Sequence, residues 1–231
     1  MIDVLHNKLG SLYKPSLFEY KSNGGMVNIN EHDSGAKVKK ASINYHGQLL
    51  VVDNCLLKEC HKIYDDNIVG CPELQHDCDG ILFIKYRNKK YFVLIELKSR
   101  YTEENITKAE KQIAASYIRV LSRLSCIDGF NSDEYIKCGI IVSYAPSISG
   151  LRKTNQKKAQ NKTALTRYDR QMRAFSKAKG YFTLNKVFVR FGNLPLRQDL
   201  MFDELPVFHV NVDEGADSVR FDIYDILKEL S

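Results

Sequence analysis

The chain has 231 residues, of which 44% are hydrophobic and 27% charged, and a formal net charge of +6 at pH 7. This composition is typical of a folded globular protein and excludes a largely disordered one. The longest apolar runs, such as 49–52 and 92–95, are far shorter than the roughly 20 residues that cross a bilayer. Because the N-terminus carries Asp3 and His6 and has no apolar signal segment, we expect a cytoplasmic protein without a membrane partner.

The six cysteines are expected to stay reduced in a cytoplasmic chain of this size. Four of them lie in one region together with His61 and His76: Cys55, Cys60, Cys71 and Cys78. Their loose spacing favours ordinary, partly buried thiols, and a zinc site is the less favoured alternative.

The first part of the chain gives weak signals, namely a short helix near the start, a turn at Gly24-Gly25 and a polar loop over 31–40. Over 53–66 the spacing of the apolar residues predicts a helix, with Asp53 as its N-cap. Glu59 projects from this helix.

Residues 78–100, with the sequence CDGILFIKYRNKKYFVLIELKSR, indicate two apolar strands joined by a basic turn. A two-residue turn at 87–88 places Asp79 opposite Glu96, and one at 88–89 places it opposite Lys98. Glu96 and Lys98 share a face because side chains alternate along a strand. Either turn therefore brings the three polar side chains together at the open end of the hairpin.

Two carboxylates held this close repel each other unless a cation lies between them. Oxygen ligands without thiolate or imidazole favour Mg²⁺, with Mn²⁺ as a substitute, and the main-chain carbonyl of Leu97 adds a further oxygen. The Lys98 ammonium would orient a water or stabilise negative charge on a phosphate, so the pattern indicates phosphodiester hydrolysis. A structural salt bridge from Lys98 to Asp79 or Glu96 is an equally open interpretation of these three residues.

A long helix is predicted after the hairpin, with its N-terminus at Thr102 followed by two acids. Its apolar stripe comprises Ile106, Ala109, Ile113, Tyr117, Val120, Leu121 and Leu124. The opposite face is expected to expose Lys108, Gln112, Arg119 and Arg123. Residues 137–144 form an apolar run typical of a strand covered on both faces.

A basic segment follows over 152–179, where ten lysines or arginines accompany the single acid Asp169. We expect it to be helical in part, from 164 to 179, and to contact a nucleic-acid backbone. A merely solvated helical face is the alternative. The candidate nucleic-acid-binding residues are Lys108, Arg119, Arg152, Lys153, Lys157, Lys158, Arg167, Arg170 and Arg173. Strands are predicted at 186–191 and 206–212, and a short helix at 223–230.

The order helix, strand, strand, helix, strand over about 53–144, with Asp79 and Glu96-Leu97-Lys98 on the hairpin, resembles the PD-(D/E)XK nuclease superfamily. Cys78 stands where the motif has proline. The resemblance implies an α/β, restriction-endonuclease-like fold with a mixed central sheet flanked by helices. The chain would add the basic insertion and C-terminal strands, all within one domain over 1–231.

The resemblance also implies roles for individual residues. Asp79 and Glu96 would bind Mg²⁺, and Lys98 would be the catalytic lysine. Glu59 resembles the additional acid that many members supply to the metal. Gln112, a fourth candidate catalytic residue, and Tyr117 are similar to the glutamine-tyrosine pair of exonuclease and recombination-nuclease branches, although Tyr117 lies five residues after Gln112 instead of four.

The expected function is therefore Mg²⁺-dependent hydrolysis of DNA, with an endonuclease favoured over an exonuclease. Cutting both strands of a duplex at one place favours a homodimer. Two alternatives stay open, a catalytically inactive nucleic-acid-binding or assembly module and an RNA-directed nuclease.

Overall fold

A computed structural model describes residues 2–58, 74, 76–160, 165–176, 180–185 and 197–230. The architecture is mixed α/β, with two mixed sheets and helices. The helices are α1 (Ile2–Leu12), α2 (Cys55–Lys58), α3 (Glu103–Leu124), α4 (Ile148–Gln160), α5 (Arg167–Phe175) and α6 (Tyr224–Leu227). The strands are β1 (Phe18–Lys21), β2 (Gly25–Asn30), β3 (Lys40–Tyr45), β4 (Gln48–Val52), β5 (Gly80–Tyr86), β6 (Lys89–Lys98), β7 (Tyr135–Tyr144), β8 (Tyr181–Asn185), β9 (Glu204–Val212) and β10 (Ser218–Asp222). No described helix has the length and apolar character required to span a membrane.

The larger sheet has the strand order β1-β4-β5-β6-β7-β9-β8, in which β6, β7 and β9 run parallel and the other pairs are antiparallel. The smaller sheet has the order β10-β3-β2. Alternate side chains of the central strands enter two cores. One core contains Phe92 and Leu94 together with residues of α1 and α3. The other contains Val93 and Ile95 together with residues of the smaller sheet.

The hairpin of β5 and β6 has its two-residue turn at Arg87-Asn88, one of the two turns expected from the sequence. Arg87 has a φ of 54°, in the left-handed region that tight hairpin turns require. Gly80 pairs with Ile95, and the same register places Asp79 opposite Glu96.

Several predicted elements are confirmed by the structure. Thr102 caps α3 by accepting a hydrogen bond from the Asn105 amide, and the apolar stripe of this helix is buried. The run at 137–144 lies within β7, which is covered on both faces because Ile141 enters one core and Ile140 and Val142 enter the other. The predictions at 206–212 and 223–230 correspond to β9 and to the C-terminal helical turns. Of the helix predicted over 53–66, the structure describes α2.

Some predicted elements lie outside the described residues, and some elements of the structure were not predicted. The strand predicted at 186–191 falls outside them, as does the part of the predicted helix from 59 to 66, which includes Glu59. The basic segment contains two described helices, α4 and α5, of which the sequence indicated α5. Strands β1 to β4 were not assigned from the sequence, and they supply one edge of the larger sheet and most of the smaller one.

Helix α5 is attached to α3 by a buried carboxylate, Glu110, which is 2% exposed. Arg167 donates two hydrogen bonds to the Glu110 carboxylate, at 2.7 and 2.6 Å. Gln171 donates a third, and the Arg167 guanidinium lies 5.0 Å from the centre of the Phe182 ring. The prediction that Arg167 binds nucleic acid is therefore wrong, because its guanidinium neutralises the buried Glu110 carboxylate.

Replacing Arg167 by alanine is expected to lower the free energy of unfolding by about 3 kcal/mol, because it leaves the Glu110 carboxylate buried without its cation. Arg170→Ala, in the same helix but exposed, is the matched control, with an expected effect under about 0.5 kcal/mol. Urea unfolding of the two variants measures the difference. Equal losses in both would contradict a structural role for Arg167.

Candidate active site

The open end of the β5–β6 hairpin brings together the four side chains that the sequence singled out as catalytic. Glu96 is 1% exposed, and the Lys98 ammonium contacts its Oε1 atom. Lys98 Nζ also donates to Gln112 Oε1 at 2.7 Å. Asp79, opposite Glu96, accepts a hydrogen bond from the Leu97 amide at 2.7 Å. The predicted proximity of Asp79, Glu96 and Lys98 is confirmed, and Gln112 joins them from α3.

Gln112 connects the two sides of the site. Its Nε2 atom donates to the main-chain carbonyl of Asp77 at 2.9 Å, while its Oε1 accepts from Lys98. The side-chain amide therefore holds the end of β6 against the segment that carries Asp79. Tyr117, its expected companion, packs in the core against Phe92 and Phe202 instead.

Arg119 does not lie on an exposed basic face, and its assignment as a nucleic-acid-binding residue is wrong. Its side chain is fully buried, contacting the Asp77 carboxylate and the Leu57 carbonyl. The spacing explains this placement, because residues seven apart lie on one helix face and Gln112 already points at Asp77. The ion pair between the buried Arg119 and the partly buried Asp77 thus fixes the segment that immediately precedes Asp79.

The two carboxylates of the site have raised pKa values. Burial raises the pKa of Asp79 to about 7, opposed by the hydrogen bond from the Leu97 amide, while the charge of Glu31 raises it and that of Lys98 lowers it. Burial also raises the pKa of Glu96 well above its ordinary value, and the nearby Asp79 raises it further. Glu96 Oε2 is buried without a hydrogen-bond partner among the described residues. A further cation beside these two carboxylates would favour their charged forms.

Glu31 is the acidic residue that sequence reasoning missed, and it acts electrostatically on both Asp79 and Glu96. It follows β2, and its backbone amide donates to the Lys39 carbonyl at 2.9 Å. Strand β2 approaches closely because Gly80 has no side chain, since a Cβ atom there would lie 2.8 Å from Ile29 Cδ1. Only the packing of the smaller sheet against the hairpin brings Glu31 near the site, so no local sequence signal marks it.

A cleft of about 440 Å³ opens beside Asp79. Its walls come from β2, the end of β4, the start of α2 and the segment before β5, and its polar lining residues include Asn28, Asn30, His32, Asp53, Asn54, Asp77 and Asp79. The cleft therefore opens Asp79, one of the two site carboxylates, to solvent.

The donor set fits a hard divalent cation. Within the part of the chain that the structure describes, no three His, Cys, Asp or Glu side chains form a metal-binding group. Mg²⁺, however, is commonly held by one or two carboxylates and keeps several waters. Asp79 and Glu96 supply the carboxylates. The Leu97 carbonyl lies on the Asp79 side of β6, because the N–H and C=O of one strand residue point the same way and this N–H bonds Asp79.

The other candidate nucleic-acid-binding residues lie on α3, α4 and α5. Lys108, Arg152, Lys153 and Arg170 are exposed, and Arg173 is half-buried. The side chains of Lys157 and Lys158 lie outside the described residues. Helix α4 follows β7, which runs parallel to β6, so its N-terminus begins at the sheet edge where Lys98 lies. A buried hydrogen bond of 2.9 Å from Thr154 to Asp169 joins α4 to α5.

Comparisons of the chain with protein-family models, with curated proteins and with solved structures give no match.

In metal-free protein, the Asp79 carboxyl is expected to titrate near pH 7, above its ordinary value of 3.8. Its contribution to folding stability is then fully present below about pH 4 and is lost as the pH rises through 7. Glu31→Gln should lower this pKa by removing a neighbouring negative charge, whereas Glu204→Gln, at the exposed start of β9, should leave it unchanged. The carboxyl carbon chemical shift of Asp79, followed by NMR as the pH is changed, measures this pKa in the wild type and in both variants. A wild-type value near 4 would contradict the burial argument.

Proposed function

We propose that this chain is a metal-dependent nuclease of the PD-(D/E)XK type that hydrolyses DNA phosphodiester bonds with Mg²⁺, or with Mn²⁺ in its place. The observation that carries the proposal is the convergence of Asp79, Glu96 and Lys98 beside an open cleft. The arrangement of α2, β5, β6, α3 and β7 supports a restriction-endonuclease-like core for the same region.

In the proposed mechanism, Asp79, Glu96 and the Leu97 carbonyl would hold the metal ion. When bound, the ion supplies Lewis-acid stabilisation of phosphate charge and lowers the pKa of a water. The pKa of Glu96 is raised by burial and further by the charge of Asp79, and the second of these effects would be offset by a cation held between the two carboxylates. Lys98 presents its ammonium group beside Glu96, where it orients the attacking water or stabilises the charge that develops on the phosphate.

The remaining polar contacts position Lys98. Gln112 holds the ammonium through its carbonyl oxygen and is itself held by the Asp77 carbonyl. Asp77 is held in turn by the buried Arg119. Gln112, Asp77 and Arg119 thus act on the chemistry through Lys98 and through the segment that carries Asp79.

The substrate strand is held, in this proposal, by the exposed cations Lys108, Arg152, Lys153 and Arg170. Arg119 and Arg167 are excluded from this set because both side chains neutralise carboxylates inside the protein. Phosphate contacts of this kind orient DNA without reading its sequence. Within this proposal, we favour an endonuclease over an exonuclease, and a homodimer as the form that cuts both strands.

One observation favours a second candidate, a catalytically inactive nucleic-acid-binding or assembly module. The Lys98 ammonium contacts Glu96 directly, so the site also forms a stable ion pair in which Lys98 neutralises a potential metal ligand. In that case Lys98 and Glu96 would stabilise the hairpin end, and the exposed cations would bind nucleic acid without cleavage.

Cleavage is expected to require both a divalent ion and the Glu96 charge. The protein is incubated with supercoiled plasmid, linear duplex, single-stranded DNA or RNA, in Mg²⁺, Mn²⁺ or chelator. The products distinguish a nuclease from a protein that only binds, and an endonuclease from an exonuclease. Glu96→Gln should lower the rate at least about a hundredfold, because even groups that only support a metal ligand cost up to that much. DNA binding should persist or tighten, since a negative charge near phosphate is lost.

Lys98→Ala should reduce the rate while metal affinity is retained, and Glu204→Gln serves as the charge-matched control for Glu96→Gln. Full activity of Glu96→Gln would disprove the proposed nuclease. Nucleic-acid binding without cleavage under any of these conditions would support the inactive module.

Substrate affinity is expected to depend on the exposed cations of α4 and α5. Replacing Arg152, Lys153 and Arg170 by glutamine removes up to three phosphate contacts, so the slope of log affinity against log salt should flatten by about two to three units on duplex DNA. Cleavage at saturating DNA and low salt should match wild type. Lys14→Gln, near the end of α1, should leave the slope unchanged. Binding titrations at several salt concentrations decide between this role and a merely solvated helical face.

A further inference from the structure

A second pocket, of about 510 Å³, lies at the turn end of the β5–β6 hairpin. Its walls include Tyr86, Arg87, Lys89, Tyr91, Tyr224 and Lys228. The volume is within the range of small-molecule sites, roughly 300 to 1,000 Å³. Strand β5 has seven residues, which separates this pocket from Asp79 by about 20 Å at 3.3 Å per residue. The pocket is therefore distinct from the candidate active site.

Three tyrosines give the pocket a rigid aromatic wall. The rings of Tyr86 and Tyr224 have centroids 4.0 Å apart, and Tyr91 is almost fully buried. The Tyr224 hydroxyl donates to the His46 carbonyl, while the His46 ring lies 5.2 Å from the Tyr224 ring. Because these contacts already fix the rings, a planar ligand that stacks on them loses little additional side-chain freedom.

The pocket has an excess of positive charge at the hairpin turn, because its acidic residues are already paired. Asp222 is occupied by His46 at 3.0 Å and by the Tyr224 amide at 2.9 Å. Asp225 is paired with Lys228 at 2.7 Å. In contrast, Arg87 and Lys89 are both exposed, and neither forms an ion pair with a carboxylate of the described residues. Two cations are thus available to an anionic ligand.

We propose that this pocket binds a nucleoside 5′-phosphate unit, with its base against the tyrosine rings and its phosphate at Arg87 and Lys89. Aromatic side chains stack on every nucleobase because each base has a π face. The Arg87 guanidinium, 5.1 Å from the centre of the Tyr86 ring, places positive charge directly beside that aromatic surface. The unit is either a free nucleotide or the 5′-phosphorylated end of a strand. This site does not depend on the proposed nuclease activity.

Calorimetric titration of the full chain in chelator, which prevents metal-dependent cleavage, tests the proposal. The probes are adenosine 5′-monophosphate, adenosine, inorganic phosphate and a 5′-phosphorylated tetranucleotide. The monophosphate should bind at least tenfold more tightly than adenosine or phosphate alone, because only the monophosphate uses both the rings and the cations. Binding of the tetranucleotide through this pocket would identify a strand end as the ligand, and its failure to bind there would identify a free nucleotide.

The variants locate the binding. Arg87→Gln with Lys89→Gln should weaken monophosphate binding at least tenfold, and so should Tyr86→Leu. The charge-matched control, Lys14→Gln with Lys37→Gln at two exposed lysines, should leave binding unchanged. Arg87 and Lys89 are exposed, so their variant folds even where Tyr86→Leu does not. The proposal would be overturned if the monophosphate did not bind, or if it bound no more tightly than inorganic phosphate. It would also be overturned if the Arg87 and Lys89 substitutions left monophosphate binding unchanged.

Discussion

The register of the β5–β6 hairpin is the constraint on which the rest of the structure depends. Both strands are internal to the seven-stranded sheet, and their alternate side chains fill two separate cores. A slip of one residue would exchange the side chains of one strand between those cores, so the register is fixed by the whole interior. The opposition of Asp79 to Glu96, the placement of Lys98 under α3 and the exposure of Arg87 at the turn all follow from that register.

The cost of burying the Glu96 charge explains the polar contacts around it. A carboxylate this deep must be paired or protonated. Lys98 is the partner of Glu96, and Gln112 accepts a hydrogen bond from Lys98. Gln112 in turn donates to the main-chain carbonyl of Asp77, and the Asp77 carboxylate is neutralised by Arg119. The contacts extend from the hairpin through α3 to the end of α2. Each contact is individually ordinary, and together they hold the site residues in one arrangement.

The sequence predicted those parts of the fold and site that depend on local pattern. Alternation and helical periodicity were sufficient for the hairpin, for α3 and for β7, and hence for the meeting of Asp79, Glu96 and Lys98. Glu31 escaped prediction because it reaches the site only through the packing of the smaller sheet. Arg119 and Arg167 were misassigned for a related reason, since a basic residue on a helix does not reveal that a buried acid lies opposite it.

Glu96 and Glu110 are the two least exposed carboxylates among the described residues, and they differ in how completely their oxygens are hydrogen-bonded. Glu110 accepts hydrogen bonds from both terminal nitrogens of the Arg167 guanidinium and from the Gln171 side chain. Glu96 has the Lys98 ammonium on one oxygen, while its other oxygen is unbonded among the described residues and a second acid, Asp79, lies opposite. A buried charge whose hydrogen bonds are complete stabilises a helix contact. A buried charge left incomplete beside a cleft lowers stability, and proteins keep such an arrangement mainly where a ligand supplies what is missing. A divalent cation would supply it here.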